Sequence, residues 1–132
     1  MFHNEAAFVE LSDRLGNWAT QMAARFGSPV YLTGSCMFIA EPRDVDIRCI
    51  IEDDAFIRRY GDINDWCKGC WLPNKHDGSL RYAADMYALS KEIAEVHCLN
   101  IDFAVQPIQI ARQFKDRPKH RIDKLNIAEL KY

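Results

Sequence analysis

The sequence predicts an α/β (α+β) fold with a small mixed central sheet flanked by helices, and three observations lead there. Two long segments carry apolar residues at three- and four-residue steps, the spacing of a helix with one buried face. Three short runs alternate or stay apolar over strand lengths, and they are interleaved with those helices. The chain has 132 residues, 48% of them hydrophobic, enough for one core but not two, so residues 1–132 are expected to form a single domain.

In the first segment Phe8, Leu11, Leu15, Trp18, Met22 and Phe26 line one face, predicting a helix from about residue 4 to 26. Gly27-Ser28-Pro29 should end it, because glycine accepts the left-handed cap and proline cannot continue the turn. Val30-Tyr31-Leu32-Thr33 reads as a short buried strand running into Gly34-Ser35. Cys36 to Ala40 suits a helical turn or two, broken at Glu41-Pro42.

From Asp44 to Ile51 the alternation is clean. Val45, Ile47, Cys49 and Ile51 share one face, while Asp44, Asp46, Arg48 and Ile50 share the other. This is a strand with a core side and a working side. Asp53-Asp54 can cap a following helix in which Phe56, Tyr60, Ile63, Cys67 and Cys70 fall at helical steps, with Gly61 as a weak point. Leu72 to Gly78 reads as a loop. A second long helix is expected from an N-cap at Ser79, with Tyr82, Met86, Leu89, Ile93 and Val96 as its stripe. Asn100 to Val105 returns as a strand ending at Gln106-Pro107, with Ile101, Phe103 and Val105 toward the core and Asp102 away from it. A short helix over about Ile108 to Phe114 follows, and the periodicity beyond it is not decisive.

Net charge is −2, so the molecule as a whole is no electrostatic trap for nucleic acid. Between Ala111 and Lys124, however, six cations (Arg112, Lys115, Arg117, Lys119, Arg121, Lys124) face only Asp116 and Asp123. Such a run is either a solvated surface or a phosphate-facing one. No apolar run approaches the roughly 18 residues of a membrane span, and the first residues lack the pattern of a secretory signal. Five cysteines without a disulfide framework suit a reducing cytoplasm.

The chemistry concentrates in one constellation. A Gly34-Ser35 turn after a strand can cradle phosphate. Asp44 and Asp46, two apart on an extended chain, project from one side. Two carboxylates at 4 Å repel by about 4 kcal/mol at an effective dielectric near 20, and a divalent cation converts that repulsion into a binding site. Magnesium in particular prefers carboxylates together with substrate phosphates. Asp102, an isolated acid amid apolar strand residues, is a third candidate for the same sheet face.

In these residues the chain resembles the nucleotidyltransferase superfamily that includes DNA polymerase beta and the minimal nucleotidyltransferases. The match is Gly34-Ser35, then Asp44-Val45-Asp46-Ile47, then Asp102, spanning residues 30 to about 105. The resemblance implies that Gly34 and Ser35 hold a nucleoside triphosphate, with Arg48, Arg43 and the basic tail as candidates for its phosphates. It implies that Asp44, Asp46 and Asp102 ligate two Mg2+ (or Mn2+) ions and that Asp102 helps deprotonate the acceptor. The reaction implied moves a nucleoside monophosphate to a hydroxyl on a small molecule, a protein or an RNA end. Met37, Phe38 and Ile39 stand where many members carry a second glycine, and the gap from Ser35 to Asp44 is short for the family. Those departures keep an alternative open: a catalytically silent binding or regulatory protein on the same fold, acting through a protein partner or as a homo-oligomer.

Other motifs compete for attention. Trp66-Cys67-Lys68-Gly69-Cys70-Trp71 has the spacing of a redox motif or half a zinc site, to which His76, His97 or Cys98 are candidate additions. Both cysteines equally fit the apolar stripe of the helix from Phe56. Cys36 and Cys49 are expected to be small buried groups, and His97 a favourable charge at a helix C-terminus. A zinc-stabilised interaction domain is therefore a third class.

Overall fold

The computed structural model describes residues 5–33, 45–63, 77–97 and 99–132. The order is α1 (Glu5–Phe26), β1 (Val30–Thr33), β2 (Val45–Ile51), α2 (Asp53–Tyr60), α3 (Asp77–His97), β3 (Ile101–Pro107), α4 (Ile108–Ala111), a 3-10 turn over Arg112–Phe114, and β4 (Lys119–Arg121). The four strands form one mixed sheet in the order β3-β2-β1-β4. Strand β2 runs parallel to β3, while β1 is antiparallel to both β2 and β4. The predicted α/β class and mixed sheet are what the chain adopts.

Local chemistry explains the boundaries. Helix α1 stops where Gly27 takes φ +69, and the amides of Gly27 and Ser28 both donate to the Ala23 carbonyl at 2.8 and 3.2 Å. That pair of bonds satisfies a carbonyl which the helix end would otherwise orphan. Helix α2 is shorter than the periodicity of Phe56, Tyr60 and Ile63 predicts. It ends at Tyr60, because Gly61 adopts φ 96 and its amide closes on Ile57. Cys67 and Cys70, the rest of that stripe, lie outside the described residues. Helix α3 begins at Asp77 rather than after a cap at Ser79, so Gly78 belongs to its first turn and not to the loop. The α3 stripe holds for Tyr82, Met86, Leu89 and Ile93, all buried, but fails at Val96, which is 71% exposed. Val96 is the penultimate residue of α3.

The core lies on one face of the sheet. Leu11, Leu15, Trp18, Met22 and Phe26 of α1 meet Val45, Ile47, Cys49 and Ile51 of β2 and Ile101, Phe103 and Val105 of β3. Trp18 packs edge-on against Phe103, with ring centroids 5.0 Å apart. Phe56, Tyr60 and Tyr82 join α2 to α3 through ring pairs at 5.1–5.8 Å. Cys49 is fully buried, with its thiol against the Ser28 carbonyl at 3.6 Å. Burial pushes that thiol above its ordinary pKa, so it remains an inert small apolar group.

Strand β3 is an outer strand, and α3 closes its open side with side chains. The Phe103 amide donates to Ser90 Oγ at 3.0 Å, and Ser90 Oγ lies 3.3 Å from the Phe103 carbonyl. The Val105 amide donates to Met86 Sδ, and Tyr82 Oη donates to the Val105 carbonyl. Residues 82, 86 and 90 are spaced one helical turn apart, so a single helix face does the work of a missing strand. Ser90→Ala should therefore lower stability by about 1–3 kcal/mol, the cost of leaving a buried backbone group unpaired. Urea unfolding measures this. A loss under about 0.5 kcal/mol would mean that water replaces the hydroxyl.

Candidate functional site

The second face of the sheet holds the polar side chains. Register places four of them in one row across all four strands: Asp102 on β3 opposite Asp46 on β2, Asp46 opposite Thr33 on β1, and Thr33 opposite Lys119 on β4. Register partners in a sheet point the same way. The row thus runs acid, acid, hydroxyl, cation. Neighbouring strands are about 4.8 Å apart, so Asp46 and Asp102 project side by side from one face. Asp102 is exposed and Asp46 half-buried, so neither acid points into the hydrophobic interior.

Gly34, Ser35 and Asp44 lie outside the described residues, as do Arg43 and Cys36. In the chain, Gly34 follows Thr33 and Asp44 precedes Val45. Among the described residues no group of three or more His, Cys, Asp or Glu forms a metal cluster. What they supply is the pair Asp46 and Asp102.

Arg48, one step along the same face of β2, turns back toward the acids. Its Nη2 donates to Asp102 Oδ2 at 3.1 Å, and its Nη1 donates to the carbonyls of Asp102 and Ile47 at 2.7 and 2.9 Å. The Arg48 side chain is only 19% exposed, against 63% for Asp102. Ile50, expected on the working face, is on that face but buried. Together with Tyr31 it is covered by Ile108 and Ala111 of α4 and by Leu130 and Tyr132 of the tail.

These coverings leave an open cleft of about 140 Å³. Thr33, Asp46, Arg48, Ile50, Gln106 and Lys119 of the sheet line it, together with Ala111, Phe114, Arg117 and Tyr132. The basic run from Ala111 thus contributes two cations to the cleft. Arg117 stacks over Phe114 at 4.7 Å. Lys119 Nζ lies between the rings of Tyr31 and Tyr132, 4.6 and 3.9 Å from their centroids, and bonds Tyr132 Oη. Burial, reinforced by Glu129, raises the Tyr31 phenol above its usual pKa, so it stays protonated at neutral pH.

The tail is held in place by a different acid. Asp123, whose side chain is fully buried, accepts from Arg121 Nε and Nη2, each at 2.9 Å, and from the amides of Val30 and Leu125 at 2.8 and 3.1 Å. Arg121 also donates to the carbonyls of Leu125 and Ile127. Periodicity did not reveal β4, because its three residues, Lys119-His120-Arg121, carry no apolar alternation. Tyr132 left no sequence signal either; the only trace of this region was the excess of positive charge.

Trp66, Cys67, Cys70, Trp71, His76 and Cys98 lie outside the described residues. His97 closes α3, where its carbonyl accepts from Arg14 Nη2 at 2.7 Å. Among the described residues no helix is long and apolar enough to cross a membrane.

No family model matches this chain, and neither the curated proteins nor the solved structures contain a match to it.

Proposed function

We propose that this protein is a metal-dependent nucleotidyltransferase, moving a nucleoside monophosphate from a nucleoside triphosphate to a hydroxyl acceptor. The observation that supports the reading best is the row Asp102, Asp46, Thr33, Lys119, in which two acids lie side by side on adjacent strands and one of them, Asp46, lines an open cleft together with Lys119. The donor chemistry fits Mg2+ or Mn2+. Two hard carboxylates lie on adjacent strands, and Asp46 lines a cleft with room for phosphate oxygens and water, the mixed ligand set that magnesium prefers. Asp46 and Asp102 would hold the metal, joined by Asp44, which the resemblance adds to the set. When bound, the metal would polarise the phosphate and neutralise charge on the attacking and leaving oxygens.

The remaining roles belong to the chain's own residues. Gly34 and Ser35, adjoining Thr33, are the turn proposed to hold the triphosphate. Arg48, Arg117 and Lys119 line the same cleft and would balance charge on the departing pyrophosphate, a contribution of the preorganised electrostatic kind. Asp102, the more exposed acid, is the one an acceptor hydroxyl can approach, and it is proposed to draw off that proton. Positioning and charge neutralisation account for most catalysis of this class.

A second reading is a nucleotide-binding or regulatory protein without turnover, working through a partner or as a homo-oligomer. The ion pair of Arg48 on Asp102 favours it, since a guanidinium already occupies one of the two described acids. One experiment separates the two. The protein is incubated with each α-labelled nucleoside triphosphate, with Mg2+ or Mn2+, against small-molecule, protein and RNA acceptors. Label transfer with pyrophosphate release is expected. Nucleotide binding with no product under any metal would select the second reading, and neither binding nor product would discard both.

A further inference from the structure

We propose that Arg48 is a built-in counter-ion for Asp102 that makes cation binding depend on nucleotide. The inference rests on the proposed metal site and adds a form of regulation to it. Three observations lead to it. The guanidinium contacts the Asp102 carboxylate at 3.1 Å while both of its carbonyl contacts anchor it beside that residue. Arg48 is the less exposed partner, so the backbone anchors and the sheet hold the cation in place more firmly than the acid. Arg48 also lines the cleft together with Asp46, so a ligand in the cleft meets Asp46 and the guanidinium that holds Asp102 at once.

The physics follows from charge. A divalent ion on Asp46 and Asp102 stands next to a fixed positive group, and the two repel. Without nucleotide, the ion must displace Arg48 from Asp102 or tolerate it there. A triphosphate brings several negative charges into the same cleft and offers the guanidinium an alternative anion, one that its fork of donors suits well. Metal and nucleotide should then each bind better in the presence of the other, and by reciprocity in equal measure.

The test measures Mn2+ binding by electron paramagnetic resonance on the full chain, with and without a non-hydrolysable nucleoside triphosphate analogue. In Arg48→Gln, Mn2+ alone should bind about two- to fivefold more tightly, the ratio that an exposed pair of this kind is worth. The enhancement of Mn2+ affinity by the analogue should shrink in the same variant. Arg48→Lys, which keeps the charge, should bind Mn2+ alone no more tightly than wild type. Unchanged or weaker Mn2+ binding by Arg48→Gln overturns the counter-ion role. Asp46→Asn and Asp102→Asn keep that failure distinct from failure of the site itself. If they lose Mn2+ while Arg48→Gln gains nothing, only the counter-ion is wrong. If they bind Mn2+ like wild type, the metal site falls and the counter-ion with it.

Discussion

Asp46→Asn should abolish metal-dependent transfer, lowering turnover by about a thousandfold or more, while leaving the fold intact. Several kcal/mol of transition-state charge stabilisation is at stake when a metal ligand is lost, and each 1.4 kcal/mol is tenfold in rate. Asn matches Asp in shape, so Val45 and Ile47 on either side keep their places in the core and β2 keeps its pairing with β1 and β3. Removing one of two facing acids relieves repulsion within the row, which offsets the polar contacts that Asp46 gives up, so the thermal midpoint should change little. The informative pair of measurements is pyrophosphate release and Mn2+ binding on the same preparation. Loss of both with a wild-type melting curve is the expected result. Equal pyrophosphate release by wild type and variant would remove Asp46 from the chemistry altogether.

Elements whose burial is periodic were legible before the structure. The stripe from Leu11 to Phe26 and the alternation from Val45 to Ile51 each correspond to one buried face, and the α1 stop at Gly27 follows from a conformation that glycine reaches easily. The facing of Asp102 away from the core was legible for the same reason. Its register against Asp46 was not, because which strands neighbour one another is set by packing across some fifty residues of chain rather than by any local pattern. Helix α2 was misjudged in length: apolar spacing ran on past Tyr60, but backbone conformation at Gly61 ended the helix first. The basic wall of the cleft was half legible. Excess charge marked residues 112–124, yet nothing distinguished Lys119, which reaches the cleft, from Arg121, which is consumed by Asp123. Charge is a one-dimensional signal: Lys119 and Arg121 share one face of β4, and what separates them is the partner each meets, the rings of Tyr31 and Tyr132 for the first and the Asp123 carboxylate for the second.

Its contacts with Arg121, Val30 and Leu125 make Asp123 the residue whose loss should cost the most stability. Asp123→Ala removes a carboxylate that satisfies the amide of Val30, itself fully buried, and the guanidinium of Arg121. Breaking a buried pair from one side costs about 3–5 kcal/mol, a large share of the roughly 5–15 kcal/mol that holds a domain of this size. The melting temperature should fall by about 10 °C or more, as differential scanning calorimetry would register. The pH dependence follows from the same contacts. Burial alone would raise the Asp123 carboxyl, but hydrogen bonds from Arg121 and from the amides of Val30 and Leu125 outweigh it and hold the pKa below the ordinary value. A carboxyl depressed on folding stabilises the protein above its unfolded pKa of about 3.9, and that contribution is lost as pH falls through the lower, folded value. Wild type should therefore lose stability on acidification below about pH 4 more steeply than Asp123→Asn, which carries no such proton-linked group. Because Arg121 lies two residues from Lys119 on the outermost strand, the damage should begin at the cleft: Asp123→Ala should weaken nucleotide binding at temperatures where the remainder of the fold persists. Ser90→Ala destabilises the opposite edge, beyond β3, and should leave that binding unchanged until the whole domain melts. If the two variants lost affinity in parallel with their global stability, the tail would not be a separable wall of the site.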